Sequence, residues 1–79
     1  MPALPLPLAL DVRDMFRDGR SPLAAIMQAV AELQPGQSLR LRVPLRPVPL
    51  IALMEDRGFA AQVRAHGEAD FEVVFTPPA

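Results

Sequence analysis

Hydrophobic and polar positions alternate in two different periods along this chain, and the switches between periods predict its elements. Leu8, Leu10 and Val12 alternate with Ala9, Asp11 and Arg13, the two-residue period of a short strand with one apolar face. Ser38 to Val43 alternates strictly, with Leu39, Leu41 and Val43 on one side and Ser38, Arg40 and Arg42 on the other. Phe59 to Ala65 places Ala61, Val63 and Ala65 on one face and Gln62, Arg64 and His66 on the other. Phe71 to Thr76 places Phe71, Val73 and Phe75 toward a core and Glu72, Val74 and Thr76 away from it. Between the first two strands the period lengthens. Leu23, Ile26, Met27, Val30 and Leu33 recur at helical spacing as one stripe. A second helix is predicted from about Val48 to Arg57, with Leu50, Leu53 and Met54 as its stripe and Ile51 beside it.

The punctuation agrees with these periods. Residues 1–7 are a Pro-rich extended lead-in. Asp14 to Arg20 is expected as a loop, with Asp18-Gly19 as its turn. Ser21-Pro22 starts the first helix, Ser21 as a cap for an orphan amide and Pro22 at the first helical position, where no donor is needed. Pro35-Gly36 is expected to end that helix, and Gly58 to lie just past the end of the second. Residues 66–70 are expected as a hairpin loop. The order is therefore βαβαββ. Right-handed crossovers place both helices on one sheet face and leave the other open. The fold class is α+β, a two-layer α/β sandwich with a four-stranded mixed sheet in the order 1-2-4-3, occupying residues 1–79 as a single domain.

Composition bounds what such a fold can do. Of 79 residues 51% are apolar, which suits a globular core, and there is no cysteine, so no disulfide, thiolate metal site or persulfide can form on this chain. The net charge is −1, which gives no overall attraction to nucleic acid or to anionic lipid. The apolar start lacks a basic region and is broken by prolines, so it reads neither as a signal peptide nor as a membrane span, and the cytoplasm is the default compartment. All eight basic residues are Arg, a pattern that reads as the codon usage of a GC-rich genome.

Candidate chemistry is sparse. Ser21 as a nucleophile would need an adjacent base, and the single histidine, His66, lies far away in sequence, so a helix cap accounts for Ser21. His66 has only carboxylates such as Glu68 and Asp70 for company, a poor transition-metal set, and reads as solvated. Asp11, Asp14 and Asp18 lack the spacing of a calcium loop and read as turn and cap residues. No glycine-rich phosphate loop is present. No cofactor or metal is expected, and no catalytic constellation. The remaining signal is the open sheet face, which gathers Arg13, Arg40, Arg42 and Arg64 with Gln62, Asp11, Glu72 and Thr76. Asp11 and Arg13 are expected to pair across strands with Arg40 or Arg42. That face is either a solvated surface laced with ion pairs, a site for a small anion or an acidic protein partner, or a surface for weak homodimerisation. The lack of Tyr and Trp argues against nucleic acid, because bases stack on aromatic rings.

The element order carries a resemblance. Leu10-Asp11-Val12-Arg13, Ser21-Pro22, the run Leu33-Gln34-Pro35-Gly36-Gln37-Ser38-Leu39 and the ending Glu55-Asp56-Arg57-Gly58-Phe59 resemble TusA/SirA-like proteins over residues 8–76. The nearer likeness is to the domain-of-unknown-function 2249 family, often found beside hemerythrin-like domains. The resemblance implies the βαβαββ fold. It also implies that sulfur relay is closed to this chain, since Ser21-Pro22 stands where the sulfurtransferases carry Cys-Pro. Pro44-Leu45-Arg46-Pro47 likewise stands where the uncharacterised branch tends to show an Asp-His pair, so no role of that pair carries over. Two function classes follow. One is a non-catalytic binding or adaptor module using the open sheet face or the Pro-rich loop 44–49. The alternative is an accessory component of a sulfur-relay or denitrification-type redox system.

Overall fold

The structure, a computed structural model, describes residues 5–78. Its elements are β1 (Leu8–Asp11), α1 (Arg13–Arg17), α2 (Leu23–Ala31), β2 (Leu39–Val43), α3 (Val48–Asp56), β3 (Ala60–Gly67) and β4 (Asp70–Thr76). The sheet order is β1-β2-β4-β3. β1 runs parallel to β2, and β4 is antiparallel to both β2 and β3. The expected Pro-rich lead-in lies partly in residues 1–4, outside the described residues; Pro5 to Pro7 form no regular element.

The period-two reading holds residue by residue in β2; in β4 Val73 and Phe75 follow it, while Phe71 is only half-buried and Glu72, expected outward, is buried. Leu39, Leu41, Val43, Val73 and Phe75 are fully buried, and Leu41 lies in register between Leu10 and Val73. Ile26 and Ala29 of α2 and Leu50 and Met54 of α3 close the same core. Both long helices therefore cover one sheet face, and the opposite face carries no helix from them.

Six local expectations need correction. The stretch expected as a loop contains a third helix, α1. It is a single turn, too short to show a period. Asp14 in its first turn and Arg17 in its last suit the helix dipole, and the Phe16 amide donates to the Val12 carbonyl. Ser21 makes no capping bond. Pro22 occupies the cap position with dihedrals already helical, φ −80° and ψ −12°, so the helix begins one residue later than the Ser-cap reading requires. α2 ends at Ala31, ahead of Pro35-Gly36. That pair instead forms a separate turn, closed by the Gln37 amide on the Gln34 carbonyl, with Gly36 at φ 80°. In α2 Leu23 is exposed and Val30 only half-buried, while Ala29 takes the core position. In α3 Leu53 turns outward and Ile51 packs inward. Finally, β3 continues through His66 to Gly67, so the hairpin shrinks to Glu68-Ala69 and Asp70 belongs to β4; an irregularity between Ala65 and Gly67 absorbs the offset.

Gly58 does what its position requires. At φ 92° it reverses the chain after α3, where its amide donates to the Glu55 carbonyl. A Cβ there would sit 3.3 Å from Pro78 Cγ.

Candidate functional site

Two surfaces stand out. One is the helix-free sheet face expected to carry the arginines. The other is an apolar groove on the helix side.

On the sheet face, Arg40, Arg42, Glu72 and Asp70 project together because they sit at odd steps from the buried residues of β2 and β4. Arg13 is the first residue of α1 and not of β1, yet its guanidinium reaches the same surface. The pairing differs from the expected one. Arg13 folds back on Asp11, Nη2 to Oδ2 at 2.7 Å and Nε to Oδ1 at 3.0 Å, and its Nη1 approaches Asp70 Oδ2 at 3.4 Å. Arg42 is opposite Glu72 in register but donates diagonally to both oxygens of Asp70, at 2.7 and 2.6 Å. Arg40 donates to Glu72 Oε2 at 2.7 Å, and His66 Nε2 lies 3.7 Å from Glu72 Oε1. Among the described residues Arg64 makes no ion pair, because Glu72, its in-register neighbour, is already held by Arg40.

The carboxylates respond as such a network demands. Hydrogen bonds from Arg13 hold Asp11 down at about 2 from its ordinary 3.8. The Arg42 bonds, helped by the charge of Arg13, lower Asp70. The Arg40 bond lowers Glu72, with His66 adding to it. Asp11 in turn holds the Arg13 guanidinium above its ordinary value. Four arginines thus face three carboxylates that are held ionised. Most of the positive charge is met on the spot, and the excess is centred on Arg64. A shallow depression of about 290 Å³ lies over Asp11, Arg40, Arg42 and Glu72.

The groove arises where α2 and α3 begin. Pro22, Leu23 and Ile26 form one wall and Leu50 and Leu53 the other, with Leu45 and Pro47 of the Pro-rich loop closing the end. Its volume is about 330 Å³ and every lining residue is apolar. Leu23, Leu45 and Leu53 are 53%, 46% and 38% exposed, high values for residues of this size. Pro47 is buried and ends the loop against α3, and Pro49 follows within the first turn of α3, where a missing donor costs nothing. The loop therefore holds Leu45 at the groove instead of burying it. The sequence named the loop but placed Leu23 and Leu53 in core stripes. In α3 the available signal was the width of the apolar arc, since Leu50, Ile51, Leu53 and Met54 spread over more than one narrow core-facing side; Leu23 falls on the same stripe as Ile26, so no such signal marked it.

The other candidates separate. Pro22 lines the groove, Ser21 is exposed beside it, and His66 is engaged on the sheet face by Glu72. No Ser–His constellation exists among the described residues. Nor is there a cluster of three His, Cys, Asp or Glu side chains that could hold a metal ion among them. No helix of the described residues is long and apolar enough to cross a membrane.

A family model matches residues 9–77, nearly the whole chain, with the description "Uncharacterized conserved protein (DUF2249)". No curated protein and no solved structure matches.

Proposed function

The chain belongs to the DUF2249 family, and because that description names no activity we propose its function from the geometry: a non-catalytic binding module that receives an apolar segment of a protein partner in the groove between α2 and α3. The observation that carries this reading is the groove itself, lined wholly by apolar side chains and holding three partly exposed leucines against water. Covering roughly 100 Å² of apolar surface contributes about 2–3 kcal/mol. That is a weak contribution, short of an obligate contact, and a partner segment burying a similar apolar area of its own would about double it, giving a reversible contact. A cytoplasmic setting belongs to the same proposal.

The sheet face supports a second, weaker reading, in which Arg64 and the half-exposed Arg40 meet an acidic partner or a small anion. Its support is the excess of one arginine over the carboxylates. The contact would be salt-sensitive, because screening acts over about 8 Å at physiological ionic strength. Participation in sulfur relay rests on resemblance alone, and with Ser21 in the Cys position it would have to be as a non-transferring accessory.

An NMR titration separates these readings. The probes are an amphipathic apolar peptide, an acidic peptide and inorganic phosphate. Shifts at Leu23, Leu45 and Leu53 with the apolar peptide, lost in Leu53→Glu, are the expected result. Shifts confined to Arg40 and Arg64 with the acidic probes would transfer the function to the sheet face. An unmoved groove at millimolar peptide would refute the first reading.

A further inference from the structure

The two edges of the sheet are built differently. β1 is one edge. It has four residues, follows Pro5 and Pro7, and ends at the Asp11–Arg13 ion pair. Shortness, proline and charge are the devices that keep an edge from pairing with another chain. β3 is the other edge and lacks them. It is the longest strand, with eight residues, contains no proline, and carries a single formal charge, Arg64. Its core side is also incompletely covered. Val73 is fully buried, while Val63, its in-register partner on β3, is only half-buried, and Ala65 is exposed. Among the described residues, the unpaired backbone edge and the incompletely covered apolar flank lie on the same strand.

We propose that β3 pairs antiparallel with β3 of a second copy about a two-fold axis through Val63, making a continuous eight-stranded sheet. The register follows from the side chains. Pairing about residue 63 sets each residue opposite the one equally distant on the other side, so Val63 meets Val63, Ala61 meets Ala65 and Arg64 meets Gln62. No like charges face each other, and the guanidinium of Arg64 meets an amide that can accept from it. The alanines leave clearance for the approach. A two-fold axis normal to the sheet keeps the helices of both copies on one side, so the helix layer extends across the junction. It also covers the half-buried Val63 of each copy with that of the other. This pairing is independent of the groove, since Gln62 lines none of it.

The register can be read by charge. Gln62 is exposed on the helix-free face, so its replacement does not disturb the core. Gln62→Glu places two carboxylates opposite two arginines, and Gln62→Lys places two ammonium groups there. Each cross-strand charge pair occurs twice per dimer. The dissociation constant should therefore tighten about two- to thirty-fold in the first variant and weaken by a similar factor in the second. Sedimentation equilibrium from about micromolar to about millimolar protein is the measurement, with far-UV circular dichroism to verify that both variants fold. A monomer–dimer equilibrium that moves in opposite directions, with β3 amides gaining exchange protection as concentration rises, is the expected result. A monomer at every concentration overturns the proposal. So does a dimer indifferent to both substitutions, a dimer abolished by Leu53→Glu instead, or open-ended polymers.

Discussion

Leu41 and Arg42 are neighbours on the central parallel–antiparallel strand, and replacing each by alanine tests how the domain is held. Leu41 is completely buried, with Leu10 of β1 on one side and Val73 of β4 on the other. Removing its isopropyl group leaves a hole bounded by paired strands, whose backbones cannot close on it without breaking ladder bonds. The loss should sit in the upper half of the usual range of about 2–5 kcal/mol for Leu→Ala. A domain of this size has about 4–12 kcal/mol in total at the common stability per residue, so the change removes a third or more of it and can unfold the protein. Arg42→Ala removes the bonds to Asp70. Asp70 keeps Arg13 at 3.4 Å and stays partly in water, so no carboxylate is stranded. The expected loss is below about 1 kcal/mol, as for other partly exposed pairs. Urea denaturation followed by circular dichroism measures both, with the slope checked for constancy. Equal losses would mean that the sheet network, and not the helix-side core, supplies the stability, and the assignment of faces would fail.

Three further outcomes follow from the geometry. Ser21→Ala should change stability by less than about 0.5 kcal/mol, since Ser21 makes no capping bond; a loss near 1 kcal/mol in the same denaturation assay would restore the cap. Gly58→Ala should cost about 1–2 kcal/mol, from the left-handed backbone at φ 92° and the 3.3 Å approach to Pro78, and a neutral result in thermal melts would show that this turn relaxes freely. Asp11, Asp70 and Glu72 have lowered folded-state pKa values, so their contribution is present above the ordinary carboxylate range and is lost as pH falls from about 4 toward 2. The urea midpoint should be flat from about pH 5 to 7 and fall below about 4, with a smaller fall in Asp70→Asn; an unchanged midpoint down to pH 2 would contradict the network.

What could be read from the sequence divides along the range of the interaction. Strand faces were legible because alternation is local and the burial of Leu39, Leu41 and Val43 needs only a sheet with one covered side. The order 1-2-4-3 was legible because handedness and a short hairpin leave few alternatives, and the outward-facing Val74 suits a strand flanked on both sides. What was not legible depended on competition between neighbours. Ser21 and Pro22 both suit a helix start, and only the tertiary position of α2 decides which of them caps it. Arg42 has Asp11, Glu72 and Asp70 within reach. The choice of Asp70 follows from β4 beginning one residue earlier than the pattern suggested, which brings that carboxylate out of a loop and onto the sheet. Leu53 and Ile51 are both large and apolar, and the phase of α3 over the sheet packs Ile51 partly buried against the core and leaves Leu53 exposed.

That last choice bears on function. A helix with apolar residues on more than one side leaves some of them facing water unless neighbouring elements cover it all round, and among the described residues nothing covers α3 fully. The same arithmetic applies to α2, where Leu23 is left outside while Ile26 and Ala29 complete the core. Both surplus residues point into the space that the Pro-rich loop keeps open with Leu45. Had these positions been solvated for lack of constraint, polar residues would serve there at no cost to the fold, since replacing an exposed leucine by a polar residue leaves core packing untouched. Three leucines at one groove are the surface that the proposed apolar segment would cover. The sheet face, whose charges largely answer one another, requires no partner for its own stability.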